Sequence, residues 1–451
     1  MITLYCAHWV APISSPVIED GAVAVVGTRI AAVGQRRDLA GRFPDAEVRE
    51  FGDAIITPGL INAHTHLELT VMRGFLELEE HDFFAWLRKL TMARLALGAD
   101  DLLHSATAGA IEAARAGITC VADASDSAKE SMRALRNVGL RGIVYQESFG
   151  PDPQLATENF AKLQRKVDNL RALETSLVRC GVSPHSPYTV SAPQLKLISH
   201  FALQEHLPVM MHAAESQAEH RLLKEGKGAF ADNLRQRDIE WKTPGMSSVQ
   251  FLEEQGVLET KPLLAHCITV DEADLLILKS AQAGIAHCPK SNAKLGHGHA
   301  PYSRFLAHGL NVGVGSDSVA SNNTCDILEE SRFATLLSRA VGDSNSDYVH
   351  ATAEAALFAA TLGGARALAI DDQTGALLEG LQADLTVIGL DGIHQRPVRD
   401  PVQALIFSSS ARDVLLTVVA GNEIYAGGAI RTVDEEPIKT KVEAIRNRML
   451  S

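Results

Sequence analysis

The sequence predicts an α/β protein: a (β/α)8 TIM barrel with a small β-sandwich domain built from both termini. Three observations carry this. Apolar strand-like runs alternate with stretches of helical spacing through the middle of the 451-residue chain, which is the pattern of parallel βαβ units. Eight such runs follow one another, the number that closes a barrel. Both chain ends instead carry short strands separated by Gly and Asn turns. The expected boundaries are 1–57 for the first part of the sandwich, 58–368 for the barrel, and 369–451 for the second part of the sandwich and a tail.

In chain order, AVAVVG and RIAAVG flank a glycine-entered turn and read as a hairpin. DAIITPG (53–59) closes this region. The barrel strands are LINAHTH (60–66), GITCVADA (117–124), GIVYQES (142–148), VRCGVSPHS (178–186), LPVMMHAAE (207–215), PLLAHC (262–267), GIAHCP (284–289) and LNVGVGSD (310–317). Helices such as 102–116 and 192–206 lie between them. ADLTVIGL (383–390) and 413–428 then return to the texture of the first fifty residues.

With 46% hydrophobic and 22% charged residues, the chain has ordinary globular composition and can bury a large core. The net charge of −13 argues against nucleic-acid binding, which needs a basic face. No apolar run reaches the roughly 18 residues of a membrane span. The start, MITLYCAHWVAPISS, lacks the basic and apolar regions of a signal peptide. The six cysteines form no CxxC pair and read as buried free thiols, so a cytoplasmic protein is expected.

In a barrel of this type, chemistry sits at the C-terminal ends of the strands. The first strand ends in His64 and His66, the fourth near His185, the fifth at His212 with Glu215 three residues on, the sixth at His266 and the eighth at Asp317. Taken singly, each has an ordinary structural reading; Asp317, for one, can cap the helix that follows. Their placement at the same end of successive strands makes a metal site the better account. Imidazoles plus a carboxylate suit one divalent ion, zinc foremost with iron as the rival. The fourth strand offers no lysine for a bridging group, which favours a single ion. Such an ion lowers the pKa of its water. Glu215 is placed to shuttle that proton, Asp317 to touch the metal and orient the water, His266 to bind either, and His185 to reach a substrate heteroatom.

These residues resemble the amidohydrolase superfamily, in its deaminase and chlorohydrolase branch. The matching pieces are PGLINAHTH (58–66), VSPHSPYTVS (182–191), MMHAAES (210–216), LLAHC (263–267), AHCPKSNAKLGHGHAP (286–301) and VGSDSVASNN (314–323). The resemblance implies His64, His66, His212 and Asp317 as metal ligands, with His266 as ligand or water partner. It implies Glu215 as proton shuttle and His185 as a contact to the substrate ring. It also implies hydrolytic deamination of an adenine-containing nucleoside, with a water activated at the metal adding to the amino-bearing ring carbon and ammonia leaving. A homo-oligomer would be usual for such relatives.

Methylthioadenosine and S-adenosylhomocysteine deaminases carry an aromatic-Pro-x-Glu segment after HxH whose glutamate holds the ribose. Here that region is HDFFAWLRKLTMARLALGADD (81–101), with no Pro-Glu. HTHLELT with DFFAWLRKL looks instead like aminodeoxyfutalosine deaminases of menaquinone synthesis. Their substrate is carboxylated, and Arg88 or Arg94 could pair with that carboxylate. Both arginines read equally well as exposed helix faces. Glu68 is a candidate ribose or ring contact, or a helix-start carboxylate. Trp86, with Phe83 and Phe84, can stack on a purine or pack as core. His297 and His299 read as pocket-rim or surface residues.

Overall fold

The computed structural model describes residues 2–342 and 349–450. All eight expected strands form: Leu60–Thr65, Ile118–Ser125, Arg141–Ser148, Val178–Pro184, Met210–Ala213, Leu263–His266, Gly284–His287 and Asn311–Val314. They run parallel in sequence order, the first four in one sheet and the last four in another. Single parallel bridges, Val182 to Val209 and Thr65 to Asp317, join the two sheets at both seams. The order is that of a TIM-type barrel, with thin seams.

Small side chains fill the interior between the strands, among them Ala63, Cys120, Ala122, Ala265 and Ala286. Ala365, Ala367 and Ile370 plug this interior from the end where the strands begin. The opposite end is left for polar groups. One apolar layer covers the first four strands and a second covers the last four. The expected helices are Ala99–Arg115 and Ala192–Glu205, the former burying Leu102, Ala106, Ala110 and Ala113. Those positions fall on one side of a 3.6-residue repeat. At Gly315 any Cβ would lie 2.9 Å from both the backbone N and Cβ of His64. Only glycine lets the eighth strand come this close to the first, where the amide of Asp317 donates to the carbonyl of His64 at 2.9 Å.

The terminal strands join into one continuous nine-stranded ladder. Tyr5, Val23 and Val25 from its first strands share a core cluster with Leu416, Val418 and Ala426 from its last, so the ladder folds back on itself. Its link is Ala54–Pro58, buried throughout, which pairs in parallel with Trp9 and Val10 and antiparallel with Leu385–Gly389. That strand hydrogen-bonds the two chain ends into a continuous ladder. The expected hairpin is Ile18–Val26 with Arg29–Gln35, turning at Gly27 with φ +56°. A buried ion pair, Arg141 to Asp384 at 2.7 Å, ties this sheet to the third barrel strand. The six cysteines are buried and unpaired. Among the described residues no helix is long and apolar enough to cross a membrane.

Candidate metal centre

Four ligand atoms meet where the first, fifth and eighth strands end. His64 Nε2 lies 3.2 Å from Asp317 Oδ1, and His66 Nε2 lies 3.5 Å from the same oxygen. His66 Nε2 and His212 Nε2 are 3.3 Å apart. A tetrahedral ion with bonds of about 2.0–2.1 Å has ligand–ligand edges of about 3.3–3.4 Å, so these separations match the edges of one such shell. His64 is fully buried, yet neither ring nitrogen makes a directed hydrogen bond among the described residues. A buried imidazole in that position calls for an ion. The donor set therefore fits a divalent metal on its own geometry.

Two of the four, His212 and Asp317, are aimed by a second partner. His212 Nδ1 lies 2.9 Å from the carbonyl of His185 and must donate to it. That leaves the Nε2 lone pair facing inward. Asp317 Oδ2 accepts from Ser291 at 2.5 Å and Ser321 at 3.1 Å, so Oδ1 is the oxygen that faces the histidines. Asn62 bonds both the side chain and the amide of Ser316, clamping the first strand to the eighth. The backbone is bent into left-handed φ at Ala214 (+52°), His266 (+74°) and Asp317 (+56°). Such strain is held where function over-determines the chain. Protonation suits metal binding too. Burial first, and then the neighbouring imidazoles, push His66 down to about 4 and His212 well below the ordinary range. Burial opposes ionisation of Asp317, but His64, His266 and His66 around it hold its carboxyl well below the ordinary range.

Glu215 and His266 stand beside this cluster. Glu215 Oε1 lies 3.7 Å from His266 Nε2, and Oε2 accepts from the Tyr188 hydroxyl at 2.9 Å. His266 Nδ1 is held by Asn292 Oδ1 at 2.8 Å. Glu219 braces the turn that carries Glu215. Its two oxygens accept from the amides of Ala214 (2.8 Å) and Glu215 (3.0 Å) and from Ser248 (2.6 Å). Burial pushes the Glu219 carboxyl up to about 7.

His66, His212, Asp317, His185, Glu215 and His266 all line one cavity of about 430 Å³. Its far wall is apolar, with Phe83, Trp86, Leu87, Leu90, Leu95 and Leu295. A larger cleft of about 960 Å³, lined by Glu112, Arg115, Asp326 and Arg332, shares no residue with it.

The remaining sequence candidates divide. Glu68 and Arg94 reach the cavity, but they hold each other: Arg94 Nε donates to Glu68 Oε1 at 2.8 Å, and Arg94 Nη1 sits 3.0 Å from Asp126. Glu68 Oε2 also accepts from Ser125 and from the amide of Ser127. Arg88 is exposed and stands outside the cavity. Trp86 is buried among Leu69, Met72 and Leu76 and presents one side to the cavity. His185 Nδ1 bonds Thr189 at 2.9 Å, and its ring tilts on Phe149. His297 packs on Phe83 with its Nε2 3.9 Å from Glu215, whereas His299 is exposed. Sequence reasoning passed over Tyr188, Glu219 and Glu147. Tyr188 sits inside the VSPHSPYTVS motif, and Glu147 ends the third strand, so the strand-end rule could have found it. Burial, with Glu68 and Asp126 nearby, raises the Glu147 carboxyl well above the usual range.

Residues 55–424 match the Amidohydrolase family, and residues 21–46 match an imidazolonepropionase-like composite domain of bacteria. The 5-methylthioadenosine/S-adenosylhomocysteine deaminase of Pyrococcus furiosus is 34% identical over 439 residues, 95% of this chain and 94% of the relative. An adenosine deaminase from Xanthomonas campestris with bound zinc superposes with a TM-score of 0.87 at 28% identity, covering 99% of this chain and 98% of that one. The zinc complex of atrazine chlorohydrolase from Arthrobacter aurescens gives 0.84 at 24% identity, covering 98% of this chain and 100% of its own, and shares the fold.

Proposed function

Since the chain belongs to the amidohydrolase family and is a hydrolase of carbon–nitrogen bonds, we propose that it is a metal-dependent hydrolytic deaminase of an adenine nucleoside. One observation carries this reading. His66, His212 and Asp317, with His64 buried behind them, stand 3.2–3.5 Å apart at the three separations given above, and the first three share a nucleoside-sized cavity with Glu215, a carboxyl placed to move a proton.

His64, His66, His212 and Asp317 would hold the metal, with zinc the first choice for three imidazoles and a carboxylate. When bound, such an ion supplies Lewis acidity and brings the pKa of a water towards neutrality. Glu215 takes that water's proton and delivers it to the ring nitrogen beside the amino-bearing carbon. Tyr188 keeps one Glu215 oxygen occupied, so Oε1 is the one that works. His266 Nε2, fixed by Asn292, hydrogen-bonds the water or the developing alkoxide. Asp317 Oδ1 orients the water for attack. His185 Nε2 faces the substrate. The apolar wall excludes bulk water, which strengthens each of these contacts.

The 5′ substituent admits two readings. A methylthioadenosine or S-adenosylhomocysteine type is favoured by the named relatives and by the apolar wall around Trp86, Leu90 and Leu295. Aminodeoxyfutalosine is favoured by the HTHLELT and DFFAWLRKL segments and by an arginine, Arg94, on the cavity wall. That reading needs the substrate carboxylate to displace Asp126 from Arg94. The test is ammonia release by the zinc-loaded protein from methylthioadenosine, S-adenosylhomocysteine, adenosine, aminodeoxyfutalosine, guanine and a chlorotriazine. Preference for one adenine nucleoside supports the class and selects the substituent. Turnover of guanine or the triazine alone would overturn it.

A further inference from the structure

The third barrel strand, Arg141–Ser148, ends in a carboxyl that the reaction above does not use. Glu147 is only 7% exposed, lines the cavity, and its Oε1 has no hydrogen-bond partner among the described residues. A buried oxygen left this way costs about 1–3 kcal/mol, so a group that enters the cavity is its natural partner. His185 Nε2 lies 4.0 Å from that oxygen. This is too long for a direct bond. His185 Nδ1 is taken by Thr189 and Ser186, so the polar edge left to the substrate is Nε2.

Resting on the nucleoside reading, we propose that Glu147 and His185 together bind a ribose hydroxyl of the substrate, with Glu147 as the residue that selects ribose over deoxyribose. Legs of about 2.8 Å to the carboxyl and 2.9 Å to the imidazole meet near a right angle across this gap, so one oxygen can serve both. A hydroxyl both donates and accepts, and it satisfies the Glu147 carboxyl in either protonation state. The ribose hydroxyls are the only hydroxyls common to adenine nucleosides that differ at the 5′ position. Glu68 cannot take this part without releasing Arg94, Ser125 and the Ser127 amide.

The experiment compares adenosine, 2′-deoxyadenosine and 3′-deoxyadenosine on zinc-loaded wild type, Glu147→Ala and Glu147→Gln. It measures kcat/KM, the dissociation constant by calorimetry, and bound zinc. Wild type should prefer adenosine over one of the two deoxynucleosides by about tenfold, the value of one such hydrogen bond. Glu147→Ala should lose that preference by falling on adenosine and on the deoxynucleoside that keeps the bound hydroxyl, but not on the one that lacks it, with zinc content unchanged. Glu147→Gln, which keeps an acceptor oxygen and guards against a folding defect in the alanine variant, should retain most of it. An equal fall on all three nucleosides, or an undiminished preference in Glu147→Ala, overturns the proposal and leaves the deaminase reading intact. A wild type that neither turns over nor binds these three or any adenine nucleoside of the panel above overturns both.

Discussion

Replacing Glu219 by alanine tests how the turn after the fifth strand positions Glu215, the carboxyl proposed above as proton shuttle. Glu219 never touches the cavity. It acts by accepting from the amides of Ala214 and Glu215 and from Ser248. In Glu219→Ala two buried amides lose their acceptor, at about 1–3 kcal/mol each, so roughly 2–6 kcal/mol of stability is at stake. The turn carries Ala214 at φ +52°, and without the brace it should relax. Displacement of a catalytic group by about 1 Å can cost on the order of 100-fold, so kcat should fall about 10- to 100-fold. Zinc content should hold, because His212 is aimed by the carbonyl of His185 instead. The stability loss should also depend on pH. Glu219 sits at about 7 in the fold against an ordinary value of 4.5, through burial. A carboxyl raised on folding binds its proton more tightly in the native state. Its contribution is therefore fully present below about pH 4.5 and is lost as pH rises through about 7. At about 1.4 kcal/mol for each tenfold in proton affinity, that is about 3 kcal/mol. Thermal and urea unfolding of both proteins from pH 5 to 8 should show the destabilisation by Glu219→Ala shrinking as pH rises, while the activity deficit persists. A destabilisation that grows with pH, or near-normal kcat, would refute the bracing role.

Three further outcomes are expected. Glu215→Gln should bind zinc as wild type does and lose about 10²- to 10⁴-fold in kcat; unaltered turnover would remove Glu215 from the shuttle role. His64→Ala and Asp317→Ala should each lose the ion or bind it at least tenfold more weakly, read by elemental analysis after dialysis; full occupancy in either would break the ligand assignment. Chelation should abolish turnover while leaving the far-ultraviolet dichroism in place, since the apolar layers on both halves of the barrel are built without the ion. Activity should return with added zinc, and unfolding on chelation would show that the core depends on the metal.

The eight strands were readable because parallel strands buried on both faces leave unbroken apolar runs. Strands such as Ile118–Ser125 and Arg141–Ser148 are buried at every residue. The same rule that located His64, His212, His266 and Asp317, a polar residue at a strand end, also applies to Glu147. It was passed over because GIVYQES carries no histidine to draw attention to it. The single nine-stranded sheet was less legible. Its decisive feature is the pairing of Ala54–Pro58 with strands from both chain ends, and pairing across more than 300 residues leaves no local trace in the sequence.

The two arginines of the helix Phe83–Leu95 mark how far local arithmetic could have gone. Phe83, Trp86, Leu87, Leu90, Thr91, Arg94 and Leu95 of this helix line the cavity along one broad face. Arg94 falls near the middle of that face, whereas Arg88 lies about 20° beyond Leu95 at its edge, at roughly 100° per residue, and is exposed. Helical phase thus favours Arg94 over Arg88 as the cavity arginine. Phase cannot show what Arg94 meets there, because Glu68 and Asp126 arrive from other elements. That meeting sets the charge of the wall: one guanidinium stands among three carboxyls, Glu68, Asp126 and Glu147. A substrate that brings hydroxyls to this wall needs no rearrangement of those charges. One that brings a carboxylate must first free Arg94 from Asp126, the more exposed of its two partners. On the proposed reading, Glu68, Arg94 and Asp126 would therefore decide the substituent, whereas the metal-site residues and Glu215 would decide the reaction.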